Sequence, residues 1–408
     1  MNFYLTQFLS SSLFFYLVFY QGAGKTTFMN VLAGKATYGD MTGSILINGR
    51  PDSVFNYSSL CGFVPQEDTM LRDLTVKENL MFYARIRLPA SYSDAQCLTV
   101  VEDTMSTLGL THIQNSQIGD ETKRGISGGQ RKRVNVAMEM VSSPSVLFLD
   151  EPTSGLDSTT SFELLEALKA LASKGTNILV VLHQPSYQLF QLFDDVLLLG
   201  KGGSTVYLGE SAKCLDYFQG SGFECGDRVN PADFFMDVIA GKTSRKNDPK
   251  FKATDLFLMW EKNTKSFSFK KLPESNSSNT LESSASTLET EASSVVGLGG
   301  IKKRGRITEE SLAKVAPAGF LKSLLLFMHR AVLQYKKCST TFLGDLLLQL
   351  VTGFVCGGIY RNFDFQKLPS MNFMLTMVLG LTTGLASLRP FGLEREVFWR
   401  EASPGSGK

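Results

Sequence analysis

Four apolar residues followed at once by two acids, Val146-Leu-Phe-Leu-Asp150-Glu151, leave few folds open to this chain. A run without polar alternation must be covered on both faces, as are the strands of a parallel sheet between helical layers. Such a strand delivers its last side chains to the carboxyl edge of the sheet, where α/β proteins hold ligands. An isolated Asp-Glu pair reads as no more than a capped strand end, so its surroundings decide. Residues 22 to about 240 alternate helical patterns with short apolar runs, Ser44 to Ile47 and Asn177 to Leu182 among them. That is the rhythm of an α/β domain with a largely parallel sheet.

Two glycine-rich segments in this region fit anions. Gly22-Ala23-Gly24-Lys25-Thr26-Thr27 carries the second half of a phosphate-binding loop. Glycines let backbone N–H groups close on phosphate oxygens, and the helix that follows adds its positive dipole end. In that frame Lys25 reaches the β- and γ-phosphates of ATP, and Thr26 ligates Mg²⁺. Asp150 helps to hold the metal, and Glu151 stands as the base that polarises the attacking water. The full loop pattern wants glycine at position 19, where this chain has Phe, and Tyr20-Gln21 replace the usual small residues. The second segment, Ile126-Ser127-Gly128-Gly129-Gln130, opens a helix whose apolar positions Val134, Ala137, Met138 and Val141 follow i, i+3, i+4, i+7. Ser127 and the glycine amides make a second anion site at its start.

The C-terminal part is of a different character. Thr341 to Tyr360 and Ser370 to Phe391 are apolar runs of about twenty residues, the length a helix needs to cross ~30 Å of hydrocarbon. Asp345 interrupts the first only about one turn inside, where an acid reaches the interface; Gln349 and Arg389 are the other polar interruptions. Ahead of them, Phe320 to Tyr335 places apolar residues at helical spacing with Lys322, His329 and Arg330 interspersed, as in a helix lying on a membrane surface. Residues 262 to 318 are rich in Ser, Thr, Glu and Lys, with a low-complexity core from Ser275 to Ser294, and read as a flexible linker. A net charge of +2 gives no global basic field for nucleic acid, and none is expected as a partner. Six cysteines without a C-x-x-C pair and three histidines read as free thiols, with no metal cluster.

The motifs come in a fixed order: Gly22 to Thr27, Gln66 within CGFVPQEDT, Ser127 to Gln130, Asp150-Glu151, Ser154-Gly-Leu-Asp157, then His183 after NILVVLH. This string resembles the ATP-binding-cassette (ABC) proteins. Gly62 to Leu80 (GFVPQEDTMLRDLTVKENL), ISGGQRKRVNVAMEM, DEPTSGLDS, LHQPS and Asn230-Pro-Ala-Asp-Phe234 narrow it, being similar to the G subfamily, which places the cassette before the membrane domain. The resemblance covers roughly residues 22 to 401. It implies two cassettes closing head to tail, each ATP held by the phosphate loop of one and the signature of the other. Ser127, Gly128, Gly129 and Gln130 would then serve the nucleotide of a second half transporter, identical or different. It implies further that Gln66 senses the Mg²⁺ and contacts the membrane-facing side, that Asp157 lies in the D-loop, and that His183 holds the γ-phosphate and water in line. The expected activity is ATP hydrolysis driving export of a lipid or other hydrophobic substrate, by a multi-pass membrane protein with its cassette in the cytosol.

The domain boundaries expected are an atypical hydrophobic N-terminus over 1–21, a cassette over 22–240, a linker over 241–318, a surface helix over 319–338, two membrane helices within 341–391 and a cut-off C-terminus over 392–408. The first of these reads as translated intron rather than the family's own start, and a half transporter has six spans, so the chain is expected to be truncated at both ends. Even so, Ser12 to Phe19 has the length and apolar character of the strand that feeds a phosphate loop. Two other readings stay open: a soluble cassette ATPase of DNA repair or translation, which lacks spans, and a non-functional fragment that binds nucleotide weakly.

Overall fold

A computed structural model describes residues 14–19, 24–36, 45–47, 50–52, 54–119, 123–182, 185–226, 229–243, 245, 251–264 and 319–337, with scattered residues between 343 and 397. The described part of the first 264 residues is built on a six-stranded sheet, in the spatial order β4-β5-β6-β1-β7-β8. These strands are β1 (Phe14–Phe19), β4 (Cys61–Val64), β5 (Val146–Asp150), β6 (Asn177–Val181), β7 (Asp195–Leu199) and β8 (Thr205–Glu210). All neighbours pair in parallel except β7 and β8, which are antiparallel. The apolar run expected to feed the phosphate loop is β1, seated between β6 and β7.

Continuous apolar runs give these strands two buried faces. Phe14 and Tyr16 join one core with Leu147, Leu149, Ile178, Val180, Val196 and Leu198, while Phe15 joins the opposite core with Val146, Phe148, Leu179, Val181, Leu197 and Leu199. The rings of Phe14 and Tyr16 stack on Phe193 at 4.6 and 4.7 Å between centroids. Each such ring removed from water stabilises the fold by about 2–3 kcal/mol. The hydroxyl of Tyr16 is buried without a hydrogen-bond partner among the described residues.

Ser44 to Ile47 does not join this sheet, contrary to the rhythm read from the sequence. Among the described residues, β2 (Leu46–Ile47) pairs with β3 (Arg50–Pro51), antiparallel, in a separate two-stranded ribbon. Asn48-Gly49 lies between them, the dipeptide that most strongly favours a two-residue hairpin over a crossover.

The helices are α1 (Lys25–Leu32), α2 (Val76–Arg87), α3 (Asp94–Thr107), α4 (Gly128–Met140), α5 (Ser158–Ser173), the short α6 (Tyr187–Phe190), α7 (Ser211–Gly220), α8 (Pro231–Ile239), α9 (Asp255–Thr264) and α10 (Phe320–Lys337). Their starts follow from capping chemistry. Thr75, Ser93 and Ser127 each accept from the backbone N–H three residues on, and Glu78, Gln96 and Gln130 reach back to the cap's own N–H. Asp157, Ser186 and Asn230 cap α5, α6 and α8 with a side-chain oxygen.

α9 runs to Thr264, past the start expected for the linker, and the low-complexity stretch lies outside the described residues. α10 packs on α2: Phe327 meets the Phe82 ring edge to face at 5.5 Å, Arg330 lies over that ring at 4.4 Å, and Lys337 pairs with Glu78. Its outward residues Leu321, Leu324, Leu325, Met328 and Val332 are exposed. Most of the two expected spans lies outside the described residues. Among those that are described, the apolar Leu343, Leu346, Leu347, Leu350, Val351, Phe354 and Met377 are helical and exposed. Among the described residues no helix is long and apolar enough to cross a membrane.

Candidate active site

The carboxyl ends of β1, β4 and β5 converge on one edge of the sheet. At β1, the chain re-emerges at Gly24, whose φ of 83° is a left-handed conformation that suits glycine, and α1 begins. The Gly24 carbonyl accepts from Phe28 N at 2.8 Å, and Thr26 and Thr27 are exposed on the first turn. α1 packs against both β1 and β5. Gly22, Ala23 and His183 lie outside the described residues.

β5 ends at Asp150, whose Cα is in register with Val181 of β6 and which is 5% exposed. The next residue, Glu151, donates its backbone N–H to Val181 O at 2.9 Å, extending the ladder by one residue. It then turns with φ 47°, a conformation that costs a non-glycine residue about 1–3 kcal/mol and concentrates at functional sites. That turn swings its carboxylate toward the segment after β4, where Gln66 Nε2 donates to Glu151 Oε2 at 2.9 Å. Three of the sequence-predicted residues, Asp150, Glu151 and Gln66, are thus brought together from sites 85 positions apart in the chain.

The Ser127 to Gln130 motif is a capping box in this structure. Ser127 Oγ accepts from Gln130 N at 3.2 Å, and Gln130 Oε1 accepts from Ser127 N at 3.0 Å. Its two glycines face different surroundings. A Cβ on Gly128 would meet nothing within 4 Å, whereas one on Gly129 would come within 2.5 Å of Thr160 Cγ2 on α5. Asp157 caps that same α5, accepting from Thr160 N at 3.1 Å and Thr160 Oγ1 at 2.6 Å, and these bonds hold its carboxyl below the usual carboxylate range.

Sequence reasoning missed the residues that seat Gln66. Lys132 Nζ donates to Gln66 O at 2.6 Å and pairs with Asp68 at 2.9 Å, and Asn135 Nδ2 donates to Glu67 O at 3.2 Å. The signal was available: Lys132, Asn135 and Glu139 stand at i, i+3, i+7 beside the apolar positions of the same helix.

Comparison with known proteins places this architecture. Residues 15–154 match the ABC transporter family, so the match begins inside β1, ahead of Gly22. Residues 183–408 match the ABC-2 type transporter family. The chain therefore carries an ABC ATPase cassette, a family that uses ATP with Mg²⁺, followed by an ABC-2 membrane domain. It belongs to the ABC transporters, with the cassette-first order of the G family. ABC transporter G family member 28 of Arabidopsis thaliana is 38% identical over 94% of this chain and 37% of its own length. ABC transporter G family member 25 of Oryza sativa subsp. japonica is 38% identical over 94% of this chain and 39% of its own. The broad substrate specificity ATP-binding cassette transporter ABCG2 of Mus musculus is 41% identical over 55% of this chain and 34% of its own. The chain spans little more than a third of the length of these relatives.

Proposed function

We propose that this chain binds Mg·ATP at the carboxyl edge of its sheet and hydrolyses it to drive transport of a lipid or other hydrophobic substrate across a membrane. The observation that carries the reading is the meeting of Glu151 and Gln66, 2.9 Å apart, beside buried Asp150. Gly22 to Thr27 would cradle the phosphates with backbone N–H groups, Lys25 adding charge to the β- and γ-phosphates. Bound Mg²⁺ neutralises phosphate charge, and Thr26, Asp150 and Gln66 are the residues that would hold it. Glu151 would orient and deprotonate the attacking water, and His183 would keep water and γ-phosphate in line.

Ser127 to Gln130 faces away from this chain's own phosphate loop in the family arrangement, so it would complete the site of a second half transporter, identical or not. The open space at Gly128 supports that use, since an incoming nucleotide needs an unobstructed backbone there. The cassette, β1 included, would lie in the cytosol, with α10 on the membrane surface and the first two spans within 341–391.

Glu151→Gln keeps shape and hydrogen bonding but removes the base. In this chain turnover should fall by about 10²–10³-fold while Mg·ATP affinity stays within about twofold. Wild-type turnover in this variant would sink the assignment; absence of Mg·ATP binding in both proteins would instead support the non-functional fragment.

A further inference from the structure

We propose that Asn230 is a positioning residue for the nucleotide site: its side-chain amide pins the chain just beyond His183 and so fixes where that histidine meets the γ-phosphate. The inference rests on the reading above that His183 serves the γ-phosphate; the pin itself is made by described residues.

Asn230 opens the string Asn230-Pro-Ala-Asp-Phe234, which has no part in the phosphate loop or in the Ser127 to Gln130 motif. Its Oδ1 caps α8, accepting from Ala232 N at 3.2 Å. Aspartate or serine would cap the helix as well, so capping alone does not call for an amide. What the amide adds is Nδ2, which donates to Pro185 O at 3.1 Å and to Asp233 Oδ2 at 3.2 Å. The bond to Pro185 joins positions 45 apart in the chain. Ala232 N requires an oxygen, while Pro185 O and the Asp233 carboxylate require donors, so all three partners agree on which way the amide points.

The carbonyl it holds lies directly after the site. β6 runs parallel between β5 and β1, with Val181 in register with Asp150 on one side and Leu17 on the other. The chain leaving β6 therefore emerges between the ends of those two strands, beside Glu151, whose N–H is bonded to Val181 O. Leu182 is buried at 2% exposure. His183 and Gln184 follow, outside the described residues, and then comes Pro185. The two residues are thus spanned by fixed points, the sheet before them and the Asn230 amide after them. Releasing one of those points would spread the histidine over more conformations, and a contact that depends on orientation weakens accordingly.

The helices on either side have supports of their own. Ser186 Oγ caps α6, accepting from Leu189 N at 3.4 Å, and the rings of Phe190 on α6 and Phe235 on α8 lie 5.6 Å apart between centroids. Loss of Nδ2 would free the Pro185 carbonyl while that ring contact and both caps stay.

Equilibrium binding to the full chain in detergent tests this, with Mg²⁺ and a non-hydrolysable ATP analogue as one probe and Mg·ADP as the other. The probes differ at the γ-phosphate, so a group that acts there changes one affinity and not the other. Asn230→Ser keeps the cap and removes Nδ2. It should weaken the analogue by about tenfold and leave Mg·ADP within about twofold. His183→Ala should do the same, and the double variant should be no weaker than the single ones, because both residues act on one contact. Asn230→Asp, which also caps but turns a carboxylate toward Pro185 O, should match Asn230→Ser and serves if that variant folds poorly. Undiminished analogue affinity in these two variants, equal weakening of both probes, or losses that multiply in the double variant would overturn the positioning role alone. Full analogue affinity in His183→Ala, or a wild type that binds neither probe, would overturn the nucleotide-site reading and this proposal with it.

Discussion

Glu151 combines an unfavourable backbone with the position proposed for the catalytic base. Its φ of 47° follows directly from the geometry: the ladder bond to Val181 O holds its N–H in the sheet while its carboxylate has to leave the sheet toward Gln66. Strain of this kind is retained where function needs it and costs stability. Asn tolerates the left-handed region better than Glu without glycine's added entropy in the unfolded chain. Glu151→Asn should therefore raise unfolding stability by about 1 kcal/mol while abolishing hydrolysis. Denaturant unfolding of the two proteins checks this, and a lower midpoint for the variant would show that the turn is not strained.

At the scale of elements, α4 and α5 meet through Gly129 and Thr160, and that contact joins the signature motif to the Asp157 cap. Gly129→Ala would drive a Cβ to 2.5 Å from Thr160 Cγ2, and Thr160 cannot swing aside without breaking its bonds to Asp157. The expected loss is about 1–2 kcal/mol. Thr160→Ser removes the clashing methyl and keeps the hydroxyl, so Gly129→Ala/Thr160→Ser should recover most of it, whereas Gly128→Ala should leave the melting temperature unchanged. Equal losses at both glycines would refute this account. The elements were legible to different degrees, for physical reasons. β1, β5 and β6 read directly, because a strand covered on both faces is apolar throughout. Ser44 to Ile47 misled, since a short apolar run next to Asn-Gly pairs locally before it can cross over. The meeting of Asp150, Glu151 and Gln66 followed from motif order, but the clasp under Gln66 did not. Its carbonyl acceptors carry no side-chain identity, and only the polar stripe on α4 marks it in the sequence.

For the whole molecule, burial of ionisable groups in both cores sets the response to alkali. Burial pushes the Cys61 thiol up to about 12 and the Cys214 thiol well above its ordinary value. It raises the Tyr16 phenol likewise, with the charge of Asp233 adding to the effect. Each group keeps its proton to higher pH in the folded chain than in the unfolded one. Above about pH 9 the unfolded chain therefore releases protons that the folded chain retains, and the contribution of these groups to stability, level below that point, falls as pH rises toward 12. Cys61→Ala removes one of these groups and should make the decline shallower between pH 9 and 12; an unchanged slope would exclude it as a contributor. The other whole-molecule property is orientation in the membrane, for which the packing of α10 gives a physical argument. Phe327 and Arg330 against Phe82, with Lys337 paired to Glu78, hold α10 on α2, so the cassette and α10 would share one side of a bilayer. Lys322, Arg330, Lys336 and Lys337 cluster ahead of the first expected span, against Arg361 and Lys367 after it. Basic residues near span ends are retained on the cytoplasmic side, which is also where ATP is supplied. A small tag between residues 361 and 367 should thus be reached by a membrane-impermeant label from the non-cytosolic side of intact vesicles, while a tag in the cassette is reached only after permeabilisation. The reverse pattern would place α10 and the cassette on the wrong side and overturn the assignment of 341–360 as a span leaving the cytosol.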